Sequence, residues 1–307
     1  MRTYSTLLML VLAGGTAVAG GLPFAHWGVM DTPDASVLQH SQIVIGGSFV
    51  AYGYDLPDST RENDFALAGF VEGGLFDRGQ IGVTYLGAGG LSGTARILAL
   101  RESVTTPGIA VGCENITGEK DYDFFRDEND SLYSYGRDQN FSAYVVMSKG
   151  LDYVVGAPIT VNLGYGIGRF QQRKNDTTDG IRNPFPGLFF SMVFDIGPGG
   201  MIAVEWDGRD LNLGGSYSVN RNLTFRGSIA ELEQVLRPSD ERDPTDVMQS
   251  VKFALGAEFT LGPFMNRTTL EPTERLSDTA DREALEALEE ARRRAREEID
   301  ELEGYMH

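Results

Sequence analysis

Residues 199–232 read GGMIAVEWDGRDLNLGGSYSVNRNLTFRGSIAEL, and three short strands with two tight turns account for them. In the first strand Ile202, Val204 and Trp206 share one face, with Ala203, Glu205 and Asp207 on the other. After a turn at Gly208-Arg209, Leu211, Leu213 and Tyr217 oppose Asn212, Gly214 and Ser216. After a second turn around Val219-Asn220-Arg221, Leu223, Phe225 and Ile229 oppose Thr224, Arg226 and Ser228. Side chains alternate faces along a strand, so this sheet has one apolar surface and one polar, partly charged surface. A soluble β-sandwich and a membrane barrel both fit that description. The flanking chain decides between them.

Strand-like runs continue on both sides of the meander, at 41–54, 64–72, 79–86, 91–101, 108–116, 139–149, 158–169, 187–196, 200–207, 211–218, 222–231 and 250–261, twelve in all. Alternation is clearest in the last, where Val251, Phe253, Leu255, Phe259 and Leu261 oppose Lys252, Gly256, Glu258 and Thr260. In 41–54 and 91–101 it is too weak to fix a register. The runs are mostly about eight to twelve residues, the length a tilted strand needs to cross a bilayer. The three connections longer than about a dozen residues, 117–138, 170–186 and 232–249, all fall on one side. Long external loops and short periplasmic turns are the pattern of outer-membrane barrels. The expectation is an all-β fold: a transmembrane antiparallel up-and-down β-barrel of about 12 strands over 41–264, both termini periplasmic. Its lumen would be lined by Arg96, Glu114, Asn162, Asp195, Glu205, Asn212, Arg226, Lys252 and Glu258. Val204, Trp206, Leu213, Phe225, Phe253 and Phe259 would face lipid, together with Ile202 and Ile229.

The ends of the chain are of different character. Arg2, the apolar run Leu7 to Ala13 and Ala17-Val18-Ala19 form a signal peptide at 1–19 with an A-x-A cleavage site. Residues 20–40 carry no period and read as a periplasmic lead-in segment. Residues 265–307 read as an acidic amphipathic helical tail; 271–303 hold 13 acidic and 6 basic residues. Leu285, Leu288, Ala295, Ile299, Leu302 and Met306 form its apolar seam, interrupted by Arg292. So short a seam is either a partner helix or a solvated tail.

Composition narrows the chemistry. A net charge of −18 excludes nucleic acid as a partner and argues against a basic patch for anionic surfaces. Cys113 is the only cysteine, so the chain holds no intramolecular disulfide. The three histidines, His26, His40 and His307, lie far apart, and the spacing gives no zinc site. Asp121, Asp123, Asp127 and Glu128 lack the glycine-centred loop of a calcium site. LGYGIGRF lies inside a strand and opens no helix, so it is no phosphate loop, and no G-x-S-x-G elbow is present. A barrel hydrolase would need a serine paired with a histidine at the rim, for which His40 alone is placed. No catalytic, cofactor-binding or metal residue is expected.

Two further stretches resemble a family. WGVMDTPDASVLQHSQIVIGG from Trp27 resembles the opening of the YjbH-like exopolysaccharide-associated outer-membrane proteins, whose G-x-x-x-T-P-x-A segment precedes the first strand. Gly28, Thr32, Pro33 and Ala35 stand at the matching positions. GLFDRGQIGVTYLG, ARILALRES and PGIAVGCENITG within 74–118, and EWDGRDLNLGGSYS at 205–218, are similar to that group too. The resemblance implies a non-enzymatic outer-membrane barrel accessory to exopolysaccharide or surface polysaccharide production or export. The alternative is a narrow porin-like channel for small polar solutes. Gly256, Phe259 and Leu261 resemble the signal that barrel-assembly machinery reads in a closing strand. The expected partners are outer-membrane lipid, that machinery through 250–261, and a polysaccharide-export or other periplasmic protein.

Overall fold

Period-two runs place successive side chains on opposite faces, and here they build a sheet that closes on itself. The computed structural model describes residues 22–55, 61–86, 90–118, 141–152, 158–171, 186–208, 210–232 and 251–265, with helical stretches at 285–287, 289–290 and 292–294. The signal peptide expected at 1–19, the loop carrying Asp121 to Glu128, the loop at 237–246 and most of the tail lie outside the described residues.

Twelve strands run in chain order: β1 Ile43–Asp55, β2 Arg61–Leu75, β3 Gly79–Tyr85, β4 Leu91–Leu100, β5 Gly108–Glu114 and β6 Ser142–Gly150, then β7 Ile159–Ile167, β8 Leu188–Gly197, β9 Gly200–Trp206, β10 Leu211–Ser218, β11 Leu223–Ala230 and β12 Lys252–Leu261. Each pairs antiparallel with the next, and β1 pairs with β12 from Ile43↔Leu261 to Tyr52↔Lys252. Closure leaves no open edge, so the strands satisfy one another's backbone groups, as a sheet in lipid must. The registers that sequence left open are fixed by pairings such as Ile43↔Gly73 and Gly79↔Ile97. Both ends of the barrel strand set emerge at one rim, with the short links 76–78, 198–199 and 219–222; this is the turn rim.

The outward faces form an apolar belt. Ile97 is 65% exposed, Leu255 70% and Phe253 57%, and Leu213, Phe225 and Phe259 stand open beside them. Val204 and Trp206 point the same way, half-buried among neighbours. This is the surface of a membrane-spanning barrel, not of a sandwich bathed in water. No described helix is long and apolar enough to cross a membrane; the strands do the crossing.

The interior departs from the expectation in two ways. Residues 22–40, expected as a periplasmic lead-in, lie inside the barrel as a plug. They enter because Leu22, Phe24, Ala25 and Met30 find apolar partners on the inward faces: Val50, Tyr52, Ala66, Ala68, Leu86, Ala203 and Ala254. Leu38 packs likewise on Val44 and Phe70, with Trp27 alongside, and Ala35 on Ala110 and Val146. The lumen is therefore a core as well as a polar lining. Asp195 is the second departure. It is exposed at the turn rim rather than lumenal, its carboxylate accepting the Gly197 N–H at 2.9 Å where a bulge ends β8.

Glycines inside strands make room for this filling. A Cβ at Gly164 would strike the Phe189 ring, and one at Gly112 the Tyr144 ring. Phe170 stacks on Phe189 at 4.6 Å between centroids, and Tyr144 meets both edge-on. These aromatics face inward, so the strands alternate small against large rather than simply polar against apolar.

Candidate functional site

The plug owes its shape to a tight local fold. The Phe24 N–H donates to the Met30 carbonyl at 2.8 Å and the Val29 N–H to that of Thr32 at 3.1 Å, closing a hairpin over 24–32. Gly28 sits where a Cβ would be 2.8 Å from the Thr32 oxygen, so no larger residue fits that turn. Folded this way, the segment presents backbone N–H and C=O groups to the lumen without a strand partner. Such buried groups need partners from side chains.

The strands supply them from carboxylates, guanidinium groups, an amide and a hydroxyl. Glu205 on β9 takes the largest share: it accepts the N–H of Asp31 at 2.8 Å, of Thr32 at 3.2 Å and of Met30 at 3.3 Å, and the Thr32 hydroxyl at 2.8 Å. Asn212 on β10 donates its side-chain amide to the same carboxylate at 3.1 Å and accepts the Glu231 N–H at 3.0 Å. Arg96 on β4 donates to the Trp27 carbonyl at 2.8 Å, to the Ser36 carbonyl at 3.2 Å and to the Tyr144 hydroxyl at 2.8 Å; Asp34 is its ion partner at 3.4 Å. Arg226 on β11 donates to the Gly28 carbonyl at 3.1 Å and pairs with Glu258 of β12 at 2.5 Å. Glu72 and Gln80 on β2 and β3 accept the N–H groups of Trp27 and Leu38, and Gln80 donates to Glu72. Ser148 on β6 accepts that of Ala35 at 2.8 Å.

One strong contact comes from outside the strands. After β7 a 3-10 turn, Gly168–Phe170, folds the chain back into the lumen, opened by Gly168 at φ 76°. The turn delivers Arg169 to a fully buried position, bonded to Asp31 of the plug at 2.8 Å, to the Asp31 carbonyl at 2.6 Å and to Glu114 of β5 at 2.7 Å. One guanidinium thus ties plug to wall through two carboxylates, a geometry that suits its planar fork.

The residues expected in the lumen fall into three groups. Arg96, Glu205 and Arg226 bind the plug directly; Asn212 bonds Glu205, Glu258 pairs with Arg226, and Glu114 holds Arg169. Asn162 and Lys252 line the interior away from these contacts: Asn162 donates to Ser191 at 2.9 Å, and Lys252 is buried against Glu231. Asp195 belongs to none of the three. Sequence reading missed Arg169, Asp31, Asp34 and Glu231. For Arg169 the available signal was a glycine followed by arginine at a strand's end, with the apolar Phe170 next.

Among the described residues no catalytic constellation emerges. His40 accepts the Phe76 N–H at 3.2 Å and stacks on the Phe76 ring, and His26 bonds the Thr84 hydroxyl at 3.1 Å in a closed interior. Among the described residues no group of three His, Cys, Asp or Glu side chains is arranged to hold a metal ion.

No protein-family model matches the chain, and no curated protein matches it. Solved structures similar to it include an outer membrane channel from Pseudomonas putida F1, at 10% identity and TM-score 0.38, with 75% of this chain and 99% of that one covered. The NanC porin follows at 8% identity and TM-score 0.38, covering 71% of this chain and 100% of the other. A Pseudomonas aeruginosa FadL homologue matches at 9% identity and TM-score 0.32 over 80% and 99%. At this distance the similarity carries no function across to the present chain.

Proposed function

We propose that this chain is a plugged outer-membrane β-barrel protein, non-enzymatic, serving as an accessory to the production or export of extracellular polysaccharide. The observation that carries the plugged reading is the lumen itself, crossed by residues 22–40 and bonded to them from β2, β3, β4, β6, β9 and β11. A porin conducts through a water-filled lumen, and this lumen holds a buried, hydrogen-bonded segment. The polysaccharide part rests on the YjbH-like resemblance. In its favour, Gly28, Thr32 and Ala35 of the resembling motif all serve the plug: Gly28 shapes its hairpin, Thr32 bonds Glu205 and Ala35 bonds Ser148. In this reading the turn rim and both termini face the periplasm, and β12 carries the assembly signal.

Planar-bilayer recordings test the plug. The native protein is expected to stay closed, with conducting events appearing in Glu205→Ala and Arg169→Met. A steady open conductance in the native protein would sink the reading in favour of a narrow channel. Fractionation with outer membranes, resistant to salt and carbonate, tests the compartment.

A further inference from the structure

Below the hairpin the plug covers one side of the lumen. Residues 34–40 descend to the turn rim along β3, β4 and β6, where Gln80, Arg96 and Ser148 hold Leu38, Asp34 and Ala35. The opposite wall, from β7 to β10, instead faces a cavity of about 820 Å³. The cavity is blind at Gly28, Val29 and Met30 and open at the turn rim past His40, Asp77 and Glu102. Its volume lies in the range of small-molecule sites, about 300–1,000 Å³.

The walls select the occupant. Where the plug fills the lumen, inward apolar side chains are sealed: Val50, Ala110, Val146 and Phe189 are each 0% exposed. On β8 and β9 they are not. Val193 is half-buried, and Met201, on the same face as Ala203 and Glu205, is 42% exposed; both line the cavity. Val29 and Val37 of the plug add further aliphatic surface. Methionines from three elements, Met30, Met201 and Met265, make a lining that adapts to a flexible guest.

The polar side chains deep in the cavity are already spent. Asn162 is bonded to Ser191, Ser148 to Ala35, and Arg226 to Glu258 and the Gly28 carbonyl. The wall hydroxyls of Thr160 and Ser216 stand toward the rim ends of β7 and β10. A sugar or a free anion would lose its water at depth for little return. A hydrocarbon chain would cover apolar surface that now meets water. Every strand is paired on both sides around the barrel, so a bilayer lipid has no lateral way in. The open side is the turn rim, where His40, Asp77, Arg101 and Glu102 form a polar collar of mixed charge.

We infer that this cavity binds the hydrocarbon chain of a single-chain amphiphile, which enters from the aqueous side of the turn rim and leaves its polar head at the collar. The inference rests on the plugged reading, because the hairpin is the cavity's floor.

The test uses the full chain in phospholipid nanodiscs, carrying Cys113→Ala and Val193→Cys and labelled with a membrane-impermeant maleimide. The probes are 1-hexanol, 1-octanol and 1-decanol, titrated by free aqueous concentration, with trehalose and inorganic phosphate as the opposing classes. The alkanols should slow labelling saturably, the half-protecting concentration falling about fourfold per added methylene. Labelling of Asn220→Cys, exposed at the turn rim outside the cavity lining, should stay unchanged. Met201→Asp should raise the half-protecting concentration about tenfold, and Met201→Leu should leave it within about twofold. Heat-modifiable gel mobility establishes that each variant is folded. Absence of protection up to each alkanol's solubility limit overturns the inference. So does protection independent of chain length, protection by trehalose or phosphate alone, or a Met201→Asp variant indistinguishable from its parent. Bilayer conductance of the native protein is read separately. A closed barrel with unprotected Val193→Cys overturns this inference and leaves the plugged reading standing; a steady open conductance overturns both.

Discussion

Removing the Glu205 carboxylate should release the plug while leaving the barrel intact. In Glu205→Ala four plug donors lose their acceptor at once: the N–H groups of Met30, Asp31 and Thr32 and the Thr32 hydroxyl. Hydrogen bonds to a charged acceptor contribute about 1.5–3 kcal/mol each. Only those from Asp31 and the Thr32 hydroxyl, both 2.8 Å, have the short geometry of strong bonds, which gives about 3–6 kcal/mol. Against this stands the desolvation that a buried carboxylate suffers, which the alanine escapes. The net expected is about 3–4 kcal/mol, because the alanine leaves buried plug donors without an acceptor. That is roughly two to three powers of ten in the ratio of seated to released plug. The assay is maleimide labelling of Ala35→Cys, a plug position 4% exposed, in a Cys113→Ala background. Labelling should accelerate strongly in Glu205→Ala, with Glu205→Gln in between because its amide oxygen still accepts. If labelling is as slow with alanine at position 205 as with glutamate, in protein whose barrel is folded, the carboxylate does not hold the plug.

Arg169→Met strips the shared cation from Asp31 and Glu114, leaving two buried carboxylates, and should cost about 3–5 kcal/mol in urea unfolding from lipid vesicles. The conservative Arg169→Lys should recover only part of that, since an ammonium cannot fork between both. Val204→Lys and Phe225→Lys place a charge on the outer belt and should each destabilise by about 2–4 kcal/mol if near the bilayer midplane; full folding yield with unchanged stability for both would mean the strand faces are inverted. Phe189→Ala opens the aromatic cluster with Phe170 and Tyr144 and should cost about 3–5 kcal/mol in the same unfolding experiment.

The barrel was legible because its physics is local. Ile202, Val204 and Trp206 against Ala203 and Glu205 is a statement about neighbouring residues, and twelve such runs leave little freedom of fold. The plug was not legible, because nothing within residues 22–40 is periodic. Its conformation is imposed by side chains such as Glu205 and Arg226, which on their own strands look like ordinary lumen residues. Phe189 and Val193 are apolar residues on the same face of β8 as Ser191, and they mark an interior packed against something. Asp195 had the correct parity for the lumen but stands at a strand end, where parity no longer determines surroundings. Arg169 was hidden by its place two residues beyond the end of β7 at Ile167.

The bond between Met30 and Glu205 spans 175 residues, and that between Gly28 and Arg226 spans 198. The plug is thus made first and completed last. Its partners on β9 and β11 do not exist until most of the chain has been synthesised, and the seam that encloses it joins the first strand to the twelfth. Contacts of such long sequence separation slow folding, because loop closure must be met before they reward it. Early in biogenesis the segment has donors, acceptors and apolar side chains with nowhere to go. Insertion of the barrel and seating of the plug are then one event with a deadline, set by the moment β12 reaches β1. A chain whose seam shuts early would bury unpaired Glu205 and Arg96 around an empty lumen. Refolding should therefore show closure of the β1–β12 seam and the change in Trp27 fluorescence reaching completion together.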